Sequence, residues 1–204
     1  MDRETGFIKG FFYKNPILVG IIGIGPAVAA AYTLKNGIAI CVIMLVLFVA
    51  TGIFSYFVGD LLPDKLSIPS YVVFSAGMLV PAYMLCEKIV PGAVDALGVF
   101  APLMAVNTMI ISRSDSYRDM KSLKETAADT FGNIAGFATT VLIVSAVREL
   151  LAFGTLLEHP IAGIKPAENL RLPFAGYIIL GIMAAVLRKF RRHIRKKREE
   201  RIGL

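Results

Sequence analysis

In 204 residues the chain is 56% hydrophobic and only 18% charged, a balance that excludes an ordinary soluble domain. Its net charge of +7 does not point to nucleic acid, because nine of the 22 Lys and Arg residues crowd into the stretch from Arg188 onward, which holds one aromatic, Phe190, and no stacking platform. A basic cluster directly after an apolar run is instead the mark of a cytoplasmic juxtamembrane tail that attracts anionic lipid headgroups.

Charge-free runs cover residues 15–34, 36–59, 66–86, 96–112, 130–147 and 172–187. Each is close to the roughly 17 to 25 residues that cross a bilayer as helix. The expected organisation is one membrane domain of six spans, residues 1–187, followed by a basic cytoplasmic tail, residues 188–204. The first run, NPILVGIIGIGPAVAAAYTL, carries Gly20, Gly23, Gly25 and Pro26 near its middle, so its helix is expected to be broken there. Its end, PAVAAAY, resembles a small-residue cleavage site, but Pro26 interrupts the apolar core and the run is read as a retained first span. The second run is rich in Val, Ile, Leu and Phe and suits a lipid-facing helix. Pro69 is expected at the start of the third span, where a missing N–H costs nothing; that span ends near Cys86.

The fourth run, ALGVFAPLMAVNTMIIS, is apolar enough for lipid yet interrupted by Gly98, Pro102 and Asn107. Asn107 brings donors and acceptors that hydrocarbon cannot satisfy, so the segment is expected to be buried among helices or to line a cavity. Setting Pro26 against Pro102 lays IGPAVAA over FAPLMAV, a weak internal repeat. The halves, about 15–86 and 96–187, would each hold three spans, and an odd number inverts the second half relative to the first. Interrupted helices at corresponding places of inverted repeats point to a central site. The close packing of Gly-rich helices explains the same residues without such a site. The predicted fold is thus an all-α polytopic membrane protein with six transmembrane helices in two inverted three-helix repeats, helices 1 and 4 being broken. Its candidate pore or broken-helix residues are Gly23, Pro26, Gly98, Pro102, Asn107 and Asn133.

Between the fourth and fifth runs, Arg113, Arg118, Lys121 and Lys124 mark a cytoplasmic loop, which places both termini in the cytoplasm. In the fifth run Gly132 and Gly136 have the GxxxG spacing of close helix contact. The segment RELLAFGTLLEHPIAGIKPAEN beyond it is too short to cross and is expected to lie in the interface or re-enter, with Arg148 and Glu149 as an interfacial ion pair or anchor. Cys41 and Cys86 have no metal or disulfide spacing and read as buried hydrophobes, while His159 and His193 read as solvated. No nucleophile with a base, nucleotide loop or metal cluster is present in the pattern, so no independent catalysis is expected.

Five stretches in this order, KNPILVGIIGIGPAVAA, Asn36-Gly37, IPSYVV, ALGVFAPLMAVNTMIISRSDSY and RELLAFGTL, resemble the Rnf/Nqr membrane-subunit family over nearly the whole chain to Leu187. Within it the chain is most similar to the E-type branch of Rnf complexes and the D-type branch of the sodium-pumping NADH:quinone reductase. The resemblance implies six helices in two inverted repeats, a cytoplasmic (inner) membrane location and a homologous Rnf A- or Nqr E-like partner of opposite topology, with other Rnf-type subunits. It also implies a [2Fe-2S] cluster held by four cysteines, two from each partner. In this chain the cluster-ligand positions are occupied by Gly25 and Thr108, and Tyr83 stands where the third helix of the family carries an acidic residue. Gly has no side chain and a Thr hydroxyl is a poor replacement for thiolate. The expectation is a membrane subunit of an ion-translocating electron-transport complex, coupled to Na+ or H+, that binds no cofactor by itself. The alternatives are a small stand-alone carrier or channel on the same fold, lined by Asn107, Thr108 and Asn133, and a purely structural or assembly subunit.

Overall fold

The computed structural model describes residues 17–18, 20, 23–118, 122–157, 159–161 and 167–202. Nine α-helices follow one another among these residues. The first is α1 (Ile24–Ala30), entered through Gly23 at φ +76°, a left-handed conformation that favours glycine. Pro26 lies in the first turn of α1, where a backbone N–H has no intrahelical acceptor, so it starts the helix and does not break it. The break falls later, at residues 31–33. Thr33 then caps α2 (Leu34–Val58), its hydroxyl accepting from the Asn36 N–H at 3.2 Å. The Asn36 side chain donates back to the Ala30 carbonyl at 3.3 Å and ties the two helices across the break.

After a 3-10 turn (Gly59–Leu61) come α3 (Asp64–Gly77) and α4 (Leu79–Ile89), bent by 41° from one another. Pro69 sits inside α3, not at the start of the span, because the helix begins earlier, at Asp64. A turn through Gly92 at φ +72° has its N–H groups at Gly92 and Val94 held by the Glu87 carboxylate at 2.9 and 3.2 Å. The fourth apolar run is then divided into α5 (Ala93–Leu97), α6 (Phe100–Leu103), a 3-10 turn (Met104–Val106) and α7 (Thr108–Arg118). Gly98 at φ +52° makes the first interruption and extended Asn107 the second. Pro102 interrupts nothing, because it too lies in the first turn of its helix.

The Pro26–Pro102 alignment carries over to the backbone. Ile24–Ala30 and the continuous piece Phe100–Val106 begin and end at matching positions, two residues before and four after the proline.

The remaining elements are α8 (Leu123–Phe153), a hairpin of β1 (Thr155–Leu156) and β2 (His159–Pro160), a 3-10 turn (Glu168–Arg171) and α9 (Pro173–Ile202). Arg148 and Glu149 do not open an interfacial segment. The helix carries on through LLAF and stops at Gly154, whose φ of +69° ends it. Likewise α9 passes through Arg188 without a break, so the basic tail prolongs the final helix.

Among the described residues two helical stretches are long and apolar enough to cross a membrane alone, Leu34–Leu61 and Leu123–Phe153, and the bent pair Lys65–Gly77 with Leu79–Ile89 makes a third if it is one span. Val73, Val80, Met84, Ile178, Ile182 and Val186 present large apolar side chains outward, as lipid requires and water does not. At the centre stands α2, with α8, α7 and α4 packed on it. Its buried face includes Ile40, Ile43, Met44, Leu47 and Phe48, and Phe54 stacks on Phe74 of α3 at 4.2 Å.

Small residues set the distance between α2 and α8. A Cβ on Gly37 would overlap the Ser145 Oγ and lie 2.9 Å from its Cβ. Gly37→Ala is therefore expected to destabilise the protein by about 1–3 kcal/mol, read as a lower melting temperature in detergent, and Ser145→Gly in the same chain should recover most of the loss. An unchanged melting temperature for the single variant would contradict this contact.

Candidate functional site

The entry to α1 meets the second interruption of the fourth run. Gly23, at the entry to α1, donates its N–H to the Thr108 Oγ1 at 2.8 Å and accepts at its carbonyl from the Asn107 Nδ2 at 3.3 Å. Asn107 is 2% exposed and works in two directions. Its Oδ1 accepts from the Met109 N–H at 2.9 Å, capping α7, while its amide nitrogen reaches across to Gly23. The contact is close enough that a Cβ on Gly23 would collide with Asn107 Oδ1 and come within 3.2 Å of Met109 Cβ. Gly23 thus answers both a left-handed φ and a lack of space.

The N-terminal ends of α1 and α7 are joined in this way. Gly25 and Thr108, the two positions the resemblance marks for cluster ligands, belong to these two ends and are both exposed. Around Gly25 there is open space, with nothing within 4 Å of where a Cβ would stand, and its carbonyl accepts from the Tyr177 hydroxyl of α9 at 3.2 Å. The pair does not fit an iron–sulfur cluster: Gly25 supplies no ligand, and the Thr108 hydroxyl oxygen is engaged by the Gly23 amide. Cys41 and Cys86 are elsewhere, on α2 and α4, with their Sγ atoms 3.9 Å from the Ala138 and Ala39 carbonyls. Among the described residues no three His, Cys, Asp or Glu side chains gather as a metal site.

Of the other expected residues, Gly98 and Pro102 are exposed on the segment leading to Asn107. The Pro26 side chain lies outside the described set. Asn133 is not part of this meeting point: its amide donates to the Asp129 carbonyl and carboxylate at 2.7 and 2.8 Å, within α8, and its Oδ1 has no hydrogen-bond partner. Tyr83 is half-buried on α4, and Gly132 and Gly136 are buried on α8.

A second part of the site is built by Arg148 and Glu149, which the sequence pattern reads as an interfacial ion pair or anchor and not as part of a site. Arg148 is fully buried, and its guanidinium donates to four carbonyls: Val28 at 2.7 Å and Ala31 at 3.1 Å at the end of α1, and Arg171 at 2.9 Å and Leu172 at 3.2 Å before α9. Glu149, 2% exposed, accepts from the Leu34 N–H at 2.6 Å at the start of α2 and from the Thr155 hydroxyl at 3.2 Å. The cation covers the negative end of α1 and the carboxylate the positive end of α2, each matched to the helix dipole it faces. Gly176 of α9 leaves room for this arrangement, since a Cβ there would lie 2.7 Å from Val28 Cγ1 and 3.1 Å from Arg148 Nη1. The one signal for it in the sequence is Gly154. A helix stop there puts Arg148 and Glu149 in the last two turns of a long apolar helix, where charge must find partners.

This is a helical membrane protein in which the N-terminal ends of α1 and α7 are joined and the break between α1 and α2 is clamped from α8. A family model described as "Rnf-Nqr subunit, membrane protein" matches residues 4–190, and the chain belongs to that family. It is 25% identical over 189 residues to the E subunit of the Na(+)-translocating ferredoxin:NAD(+) oxidoreductase complex of Acetobacterium woodii, covering 92% of this chain and 96% of the relative. It is 26% identical over 157 residues to the E subunit of the ion-translocating oxidoreductase complex of Vibrio cholerae, covering 77% and 68%. With the protein of the same name from Shewanella denitrificans it shares 29% identity over 150 residues, 74% of this chain and 65% of the relative.

Removing the clamp should open the break. Arg148→Gln leaves buried carbonyls without donors and is expected to cost about 3 kcal/mol or more, with Arg148→Lys recovering only part because a point charge cannot serve two separated carbonyl pairs. Hydrogen exchange checks this: amides of residues 31–34 should exchange faster in both variants, most in Gln.

Proposed function

We propose that this chain is the E-type membrane subunit of an Rnf-like ion-translocating electron-transport complex, contributing to transmembrane electron transfer coupled to Na+ or H+ movement. The observation that carries the reading is the match to the E subunits of such complexes over almost the whole chain, through the broken helices themselves. On this reading the chain forms six spans in two inverted repeats in the inner membrane, with both termini in the cytoplasm. It stands beside an Rnf A- or Nqr E-like subunit of opposite topology and other Rnf-type subunits. The matching positions of Ile24–Ala30 and Phe100–Val106 support the repeat. Gly25 and Thr108, both exposed at the ends of α1 and α7, support a surface facing such a partner.

The chain itself ligates no cluster in this proposal. Its contribution is shape: the Gly23–Asn107–Thr108 contact holds two helix N-termini together.

Affinity purification from native membranes through a tag on this chain tests the assignment. Rnf-type subunits are expected to co-purify in fixed proportion. Their absence, together with ion or solute uptake by the purified chain alone in liposomes, would replace the reading with that of a stand-alone carrier or channel. The ligand question has its own test. A Cβ is tolerated at Gly25 and the Thr108 side chain is exposed. Gly25→Cys with Thr108→Cys should therefore raise the iron content of the purified complex if its partner supplies two cysteines. Unchanged iron in a folded complex would show that more than the two ligands separates this site from the family pattern.

A further inference from the structure

Two groups of hydroxyl side chains inside the helical core differ in how they are satisfied. On α8, Thr126, Thr130, Thr140 and Ser145 each donate to the carbonyl four residues earlier, the usual way in which a buried hydroxyl is satisfied within its own helix. Thr51 of α2, Tyr71 and Ser75 of α3 and Ser114 of α7 do not. All four residues are at most 1% exposed, and their hydroxyl oxygens have no hydrogen-bond partner.

These four belong to one junction. Thr51 lies one turn from Ser55, whose hydroxyl donates to the Ser114 carbonyl, so this face of α2 is against α7. Tyr71 and Ser75 lie one turn apart on α3, and the neighbours of α3 are α2, α7, α4 and the 3-10 turn Met104–Val106. Tyr71 meets Phe54 of α2 edge-on at 6.4 Å between ring centroids, which turns this face of α3 inward. Four unpaired hydroxyls on three helices packed against one another are anomalous in a medium where each unmade hydrogen bond is costly.

We propose that the junction of α2, α3 and α7 holds bound water that pairs with the hydroxyls of Thr51, Tyr71, Ser75 and Ser114. Water fits these groups because each hydroxyl both donates and accepts, and an internal water takes two to four such partners. The place matters for the rest of the molecule. The 3-10 turn Met104–Val106 packs on α3 and leads directly into Asn107, so the helix that lends Tyr71 and Ser75 to this junction also touches the segment that joins α7 to Gly23.

Radiolytic hydroxyl-radical footprinting of the full chain in its purified complex tests the proposal, since radicals formed from bound water label the side chains that touch it. Tyr71 should be modified about tenfold faster than Phe48 and Phe137, rings equally hidden from solvent but placed in dry core. Thr51→Val, Ser75→Ala and Ser114→Ala provide a second readout through their sign. With water present each deletion takes a partner from the network and should lower the melting temperature by about 2–4 °C. In a dry junction each removes an orphaned hydroxyl and leaves stability unchanged or raised. Tyr71 labelling no faster than the two phenylalanines, or unchanged or raised melting temperatures across the three variants, overturns the proposal.

Discussion

The Arg148 guanidinium, bound to the carbonyls of Val28 and Ala31, is the interaction on which the first break depends. A helix that stops inside a membrane leaves its last carbonyls without donors, and hydrocarbon supplies none. Here the donors come from a different span. Because Arg148 also holds the Arg171 and Leu172 carbonyls, one side chain ties α1, α8 and the approach to α9 together. Glu149 completes the arrangement from the same turn of α8 by satisfying the Leu34 N–H at the start of α2. A neutral residue in either place could fill the volume but could not answer the dipoles of both helix ends.

The second break is solved differently. Asn107 serves it without a charge: its Oδ1 caps α7 and its Nδ2 is left to bind the Gly23 carbonyl. The first break is thus clamped from outside and the second caps itself, while Gly23, at the opposite end of α1 from the first break, joins that helix to Asn107 and Thr108. This coupling places α1 and α7 tip to tip. It is also why Gly23 cannot be exchanged for a residue with a Cβ, whereas Gly25, two residues on, has open space around it.

Packing between α2 and α8 makes the clamp possible. Gly37 and Ser145 let the two helices approach, and the long α8 carries Arg148 from that contact to the end of α1. Gly176 lets α9 close over the same point. Each of these three residues is small for steric reasons that involve a different helix, so none could be explained from its own segment.

Much is legible in the chain alone. Runs without charge, long enough for a bilayer, imply membrane helices because unpaired charge is excluded from lipid, and Gly98 and Asn107 mark interruptions because their local chemistry is unsuited to continuous helix. The match between Pro26 and Pro102 also survives as matching helical pieces, although both prolines begin those pieces and do not break them. What only the tertiary structure decided is where the polar groups find partners. Asn133, a candidate for the site by its sequence, bonds within α8, while Arg148 and Glu149 have the sequence setting of an interfacial pair and are buried at the first break. Local sequence records which groups need hydrogen bonds; it does not record which distant carbonyl or amide supplies them, because that choice is made by the packing of helices more than a hundred residues apart in the chain.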